Sequence, residues 1–150
     1  MRGSASVTID APPDQVYAVL SDVTQLGRLS PECYACEWSN EIAEAVPGAT
    51  FTGHNRLGDY EWSTLCEITA AEPGRRLAFE AGSAEVKYTR WTYTLNADGM
   101  GTRVTESFEV LTTAPALEGA SEERKAQRTA MLKDGMRQTL ARLKAAVEGA

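Results

Sequence analysis

The chain has 150 residues, enough for one domain, over residues 1–150, to bury a core without disulfides or metals. Its 15 Lys and Arg residues against 21 Asp and Glu residues give a net charge of −6, and the basic residues are scattered, which argues against a nucleic-acid partner. No apolar run approaches a membrane span or a signal peptide, so we expect a cytoplasmic protein whose three cysteines are free thiols.

The N-terminal third begins with a strand and continues with two short helices. Ser4–Asp10 alternates between apolar and polar residues, as a half-buried strand does. Pro12-Pro13 ends this strand and suits the first turn of a helix, where the missing N–H of proline costs nothing. Asp22 caps a second helical turn, which Ser30-Pro31 ends.

From Glu32 to Thr112 the apolar period changes to two, and Gly and Pro residues break the pattern at short intervals. Six strands follow, near Glu32–Asn40, Ala49–Leu57, Tyr60–Ala70, Arg76–Ala81, Val86–Asn96 and Thr102–Thr112. Turns this short join neighbouring antiparallel strands, so the prediction is one seven-stranded antiparallel sheet.

The C-terminal segment returns to the helical period. A helix from about Ser121 to Glu148 carries one apolar stripe: Leu132, Met136, Leu140, Leu143 and Val147. At 1.5 Å per residue it is about 40 Å long, which is enough to cross the whole sheet.

Several short motifs carry a family resemblance. They are Ile9-Asp10-Ala11-Pro12, Ser30-Pro31, Gly48-Ala49-Thr50-Phe51, Ala71-Glu72-Pro73-Gly74-Arg75-Arg76-Leu77 and Gly101-Thr102-Arg103-Val104-Thr105-Glu106. With the order of elements, the chain resembles the START-like, or SRPBCC, superfamily, and within it the polyketide cyclase/dehydrase group. The resemblance implies an α+β helix-grip fold, in which a curved antiparallel sheet of seven strands and two short helices wrap around the long C-terminal helix.

Strand parity assigns the faces of the sheet, because successive side chains point to opposite sides. The more apolar parity is taken as inward: Phe51, Gly53, Asn55, Trp62, Thr64, Cys66, Ile68, Leu77, Phe79, Trp91, Tyr93, Leu95, Val104, Glu106, Phe108 and Val110. Tyr88 falls on the other parity from Trp91, so either a bulge lies between them or Tyr88 faces outward. A few polar groups among aromatic residues are typical of a ligand pocket, although the same groups could satisfy one another in a solid core.

Glu106 is the strongest chemical candidate. A carboxyl in an apolar cavity loses the solvation of its charged form, which raises its pKa toward neutrality and suits proton transfer. The alternatives are that Glu106 accepts hydrogen bonds from Asn55 or Tyr93, or that a register slip turns it outward toward Arg103. Asn55 is the second catalytic candidate, because its amide donor could orient a carbonyl or stabilise an enolate; the alternative is that it simply bonds a neighbour.

The remaining candidates for metal or redox chemistry are weaker. His54, the single histidine, lies outside the cavity by parity. Cys33 and Cys36 have CxxC spacing, but three steps along a regular strand would place the two sulfurs on opposite faces. Unless Cys33 lies in an irregular turn after Pro31, we therefore expect ordinary buried thiols and no metal site.

The resemblance implies that an apolar small molecule or polyketide-type substrate is the partner and that no cofactor takes part. Catalysis would be cyclisation or dehydration by acid/base chemistry and substrate folding. The expected substrate-binding residues are Phe51, Trp62, Thr64, Trp91, Tyr93, Phe108 and Met136. The alternative is a non-catalytic carrier or sensor of a hydrophobic metabolite or lipid. The oligomeric state stays open.

Overall fold

The computed structural model of the protein describes residues 1–39 and 41–149. Seven strands form one antiparallel sheet in the order β1-β7-β6-β5-β4-β3-β2. Their bounds are β1 Arg2–Ile9, β2 Cys33–Trp38, β3 Thr50–Leu57, β4 Tyr60–Glu72, β5 Arg76–Gly82, β6 Lys87–Asp98 and β7 Gly101–Val110. The predicted sheet is confirmed, with strand ends shifted by a few residues. Asn40, the last residue of the predicted second strand, lies outside the described residues.

Three α-helices complete the fold: α1 Pro13–Leu20, α2 Leu26–Leu29 and α3 Glu122–Glu148. A 3-10 turn, Val23–Gln25, joins α1 to α2, and another, Pro115–Leu117, precedes α3. The two short helices carry the chain from β1 at one edge of the sheet to β2 at the other. No helix in the described part of the chain combines the length and apolarity of a membrane span.

Local signals in the sequence explain where the helices begin. Pro13 stands in the first turn of α1, where its lack of an N–H leaves no hydrogen bond unmade. The side chain of Asp22 accepts from the backbone N–H of Thr24, and that of Ser121 accepts from the N–H of Arg124. Each cap supplies an acceptor to a donor that has no partner within its helix.

The long helix α3 packs its apolar stripe on the sheet. Met136, Leu140, Leu143 and Val147 are buried, while Leu132, one to two turns nearer the N-terminus, is only half-buried. The helix contacts β1 and both short helices. The solid core therefore lies under the C-terminal half of α3, and space remains under its N-terminal half.

Two of the three register shifts between the described strands decide which residues face the candidate site. In β6, Thr89 pairs with Ala81 but Lys87 pairs with Gly82, so Tyr88 is an extra residue. Tyr88 and Trp91 consequently lie on the same side of the sheet, and the bulge is the correct one of the two predicted alternatives. The second irregularity, in β2, lies in the candidate site.

Candidate functional site

A pocket of about 650 Å³ lies between the inner face of the sheet and the N-terminal half of α3. Aromatic side chains from four strands form much of its wall: Phe51, Trp62, Phe79, Trp91 and Tyr93. Met136 and Thr139 of α3 line the opposite side. The volume is that of a site for a drug-sized molecule.

Six of the seven predicted substrate-binding residues line this pocket: Phe51, Trp62, Thr64, Trp91, Tyr93 and Met136. Phe108, the seventh, is not among the lining residues and packs behind one of them. Its ring is buried and packs on Trp91, with 5.6 Å between ring centroids. The space over Gly3 of β1, which has no side chain, is filled by the Phe108 ring and the stem of Lys133. Phe108 therefore supports Trp91 without facing the pocket.

Glu106 lies in the pocket wall on β7, opposite Tyr93 of β6. The Tyr93 hydroxyl donates to Oε2 of Glu106 over 3.0 Å. Glu106 is only 4% exposed, and its Oε1 has no hydrogen-bond partner among the described residues. A buried polar atom without a hydrogen-bond partner is rare in proteins. This one belongs to a residue that lines the pocket. The outward alternative and the Asn55 partner considered for Glu106 are both excluded by this arrangement.

Burial changes the ionisation of Glu106. Loss of solvation raises its pKa from 4.5 to about 8, although the hydrogen bond from Tyr93 opposes the shift. The carboxyl is therefore largely protonated at neutral pH. With Tyr93 donating to Oε2, the oxygen available to carry the proton of the carboxyl is Oε1. Glu106 is thus arranged as a hydrogen-bond donor or acid within an apolar pocket.

Asn55 also lines the pocket, and its predicted donor role stays a prediction. Its Nδ2 donates to the backbone carbonyls of Gly53 and Trp62, over 3.3 and 3.5 Å. Asn55 pairs with Trp62 near the end of the β3–β4 hairpin, whereas Glu106 pairs with Tyr93 on β6. Asn55 thus contacts the backbone of its own hairpin and lies apart from the Tyr93–Glu106 pair.

The predicted separation of the two CxxC sulfurs is wrong. Cys33 pairs with Asn55 and Ala35 pairs with His54, so Tyr34 is an extra residue that shifts the register of β2. Cys33 and Cys36 therefore lie on the same face, line the pocket and place their Sγ atoms 3.2 Å apart. In the sequence, the CxxC spacing was the available signal that the two thiols lie together. Among residues 1–39 and 41–149, no three His, Cys, Asp or Glu side chains are arranged to hold a metal ion.

His54 lies on the outer face of the sheet, away from the pocket. Its Nδ1 is 2.9 Å from Oγ of Ser63 and its Nε2 is 3.0 Å from Oε1 of Glu37. The ring is held by these two neighbours, Glu37 on β2 and Ser63 on β4.

An ion pair at the pocket wall was not predicted from the sequence. Arg128 of α3 donates from Nη1 to Oε2 of Glu32 over 2.6 Å and from Nη2 to Oε1 over 2.8 Å. Both side chains are mostly buried and both line the pocket. The residues are 96 positions apart, so only the packing of α3 against the α2–β2 connection brings them together.

The fold is shared with solved structures of related proteins. A Polyketide_cyc-like protein of Corynebacterium glutamicum is 30% identical, with a TM-score of 0.67, over 98% of this chain and 91% of that chain. A protein of Thermus thermophilus is 18% identical, with a TM-score of 0.78, over 99% of this chain and 98% of that chain. The di-domain ARO/CYC BexL from the BE-7585A biosynthetic pathway is 19% identical, with a TM-score of 0.72, over 99% of this chain and 50% of that chain.

A seven-stranded antiparallel sheet around a long C-terminal helix, with a pocket between them, defines a protein of the helix-grip class. The family model described as "Polyketide cyclase / dehydrase and lipid transport" matches residues 2–148. The chain belongs to this family. A search of curated proteins gave no match.

Proposed function

We propose that the protein binds an apolar molecule bearing carbonyl or hydroxyl groups and catalyses its polyketide-type cyclisation or dehydration, with Glu106 as the proton donor. One observation carries the proposal: a buried carboxyl, protonated at neutral pH, has an oxygen without a hydrogen-bond partner among the described residues, in an aromatic pocket. Membership of the polyketide cyclase/dehydrase family and the fold shared with BexL support the substrate class.

The proposed chemistry needs one proton donor and a shaped pocket. In dehydration of a β-hydroxy ketone, the proton on Glu106 Oε1 passes to the hydroxyl group, which leaves as water when its carbon–oxygen bond breaks. The electron pair of the α-carbon C–H bond forms the double bond, and the proton released from that carbon returns to the carboxylate. In cyclisation, the same proton passes to the carbonyl oxygen that becomes a hydroxyl as the carbon–carbon bond forms, and the carboxylate takes the proton that the attacking carbon loses. The aromatic walls hold the chain folded, which lowers the entropic barrier.

A non-catalytic carrier is the second candidate, and the composition of the pocket favours it. Among the described lining residues, the other carboxyl is Glu32, which Arg128 holds in two hydrogen bonds. No histidine lines the pocket in the described part of the chain. A site with one acid and no separate base can bind a carbonyl without transforming the molecule.

The experiment first measures binding and then turnover. A polyaromatic ligand should change the fluorescence of Trp62 and Trp91, because both indoles line the pocket. A β-hydroxy tetralone, which becomes a fluorescent naphthol on losing water, then serves as the test substrate. Glu106→Gln should retain binding and lower turnover roughly 10²-fold or more, since the isostere removes the acid but little packing.

Glu109→Gln is the matched control, because Glu109 is exposed and one residue out of phase with the pocket face of β7. It should leave binding and turnover unchanged. Full activity of Glu106→Gln would remove Glu106 from the mechanism. If the wild type and Glu106→Gln both bind the ligand and neither turns over this substrate or a polyketone chain, the protein is a carrier.

A further inference from the structure

The pocket wall contains a pair of thiols that the proposed proton chemistry does not use. Cys33 and Cys36 face the pocket with their sulfurs 3.2 Å apart, and both are half-buried. The bulge in β2 creates the pair. Because of it, Cys33 lies opposite Asn55 and Cys36 lies opposite Gly53, and these two β3 residues are on the same face. This arrangement is unlike that of two isolated core thiols, which would each lie among apolar side chains.

Neighbouring groups hold the pair in place. Oγ of Ser30 accepts from the backbone N–H groups of Glu32 and Cys33, over 3.2 and 3.0 Å, and so fixes the start of β2. Gly53 lies beneath both sulfurs: a Cβ at this position would be 3.7 Å from Sγ of Cys33 and 3.8 Å from Sγ of Cys36. These are ordinary van der Waals distances, so Gly53 of β3 packs against both sulfurs at once.

The two thiols differ in their tendency to ionise. A hydrogen bond from Cys36 lowers the pKa of Cys33, and backbone groups of Ala35 and His54 add to this effect against the opposing effect of burial. The same hydrogen bond, together with burial, raises the pKa of Cys36. In pairs of this kind the thiol that ionises more readily attacks and its neighbour resolves the product.

We propose that Cys33 and Cys36 are a redox-active dithiol in the pocket wall, which reduces a small neutral disulfide and closes to an intramolecular disulfide. This inference is independent of Glu106 and of the proposed proton transfer. The ligand class follows from access, since the thiols are reached through an apolar pocket, and from chemistry, since a disulfide is the oxidant that accepts two electrons from two thiols.

The exchange proceeds in two balanced steps. The Cys33 thiolate attacks one sulfur of the small disulfide, whose sulfur–sulfur bond breaks, and the departing thiolate takes a proton from water. Cys36 then gives its proton to water and attacks the Cys33 sulfur of the mixed disulfide, and the second small thiolate leaves and is protonated. Two electrons pass from the two cysteines to the small disulfide, which becomes two thiols.

Cys66 provides the internal control. It is buried near the pair, its Sγ lies 3.6 Å from Oγ1 of Thr64, and burial raises its pKa to about 12. A thiol with so little thiolate reacts slowly with disulfides. Cys66→Ser should therefore leave the proposed exchange unchanged.

The test incubates the reduced, folded protein with excess hydroxyethyl disulfide, followed by acid quench, alkylation of remaining thiols and peptide mass spectrometry. In the wild type, two of the three cysteines should escape alkylation without retaining hydroxyethylthiol, and the protein should lose the mass of two hydrogens. Cys36→Ser should retain hydroxyethylthiol on Cys33. Cys33→Ser should react roughly tenfold or more slowly at Cys36, because the favoured attacking thiol is gone.

The wild-type result decides the proposal even where a variant fails to fold, which circular dichroism would reveal. Alkylation of all three cysteines, or a mixed disulfide that never closes, would overturn it. Loss of closure in folded Cys66→Ser would also overturn it, because the disulfide would then involve Cys66. In each case the activity of Glu106 would be untouched, so the two proposals fail separately.

Discussion

The hydroxyl of Tyr93 donates to Oε2 of Glu106 across the β6–β7 pair, and this one hydrogen bond determines which carboxyl oxygen is left without a partner. The burial of Glu106 and its hydrogen bond from Tyr93 have opposite effects on the pKa of Glu106. Burial raises the pKa of Glu106, whereas the bond from Tyr93 lowers it. Substituting Glu106 or Tyr93 should therefore change the pH dependence of stability or activity in a predictable direction.

Glu106→Gln should make stability less dependent on pH. The pKa of Glu106 is about 8 in the folded protein against 4.5 for an ordinary Glu, so between these values the folded chain holds a proton that the unfolded chain has lost. Stability of the wild type should fall as pH rises through this window, by at most about 1.4 kcal/mol per pH unit from this group. Urea unfolding of the wild type and of Glu106→Gln at several pH values measures this change in the free energy of unfolding. A difference between wild type and variant that stays constant with pH would contradict the assignment.

Tyr93→Phe should move the alkaline edge of activity to higher pH. The substitution removes the hydrogen bond that lowers the pKa of Glu106, while the ring continues to fill the same space. Because the protonated carboxyl is the proposed active form, the pH at which the rate falls should rise with its pKa. The loss of stability should be about 0.5–1.5 kcal/mol, as for one hydrogen bond. An edge that moves to lower pH would show that the protonated form is not the active one.

The alternation of residues in β7 was sufficient to predict the position of Glu106. Val104, Glu106 and Phe108 lie on the inner face as parity requires, because β7 pairs with β6 and with β1 without any register shift. Parity gave the face but not the depth, so it could not separate Glu106, which lines the pocket, from Phe108, which packs behind Trp91. That distinction depends on the missing side chain at Gly3 on a strand more than a hundred residues away in sequence.

Where strands are irregular, the same parity argument fails. An extra residue at Tyr34 reverses the expected relation of Cys33 to Cys36, and a bulge of this kind leaves no reliable mark in the sequence. The pair formed by Arg128 and Glu32 was missed for another reason, because charge patterns indicate local neighbours and not contacts between a distant helix and loop.

Leu140→Ala should destabilise the protein by about 2–5 kcal/mol, since the side chain is 1% exposed and its removal leaves a cavity between α3 and the sheet. Met131→Ala in the same helix is the control, because Met131 is 44% exposed. Its cost should be much smaller, as surface substitutions usually are. Equal losses in urea unfolding would mean that the helix does not use the predicted apolar stripe as its packing face.

Arg128→Lys should speed the release of a bound ligand. Arg128 and Glu32 join α3 to the α2–β2 connection through two parallel hydrogen bonds at the pocket wall, and lysine retains the charge but not the two-pronged geometry. The wall should open more readily, so the dissociation rate of a fluorescent polyaromatic ligand should rise several-fold in stopped-flow displacement. Arg90→Lys is the matched control, because Arg90 makes two hydrogen bonds to Oε2 of Glu80 outside the pocket lining. The same increase in both variants would assign the effect to general destabilisation and not to the Arg128–Glu32 pair.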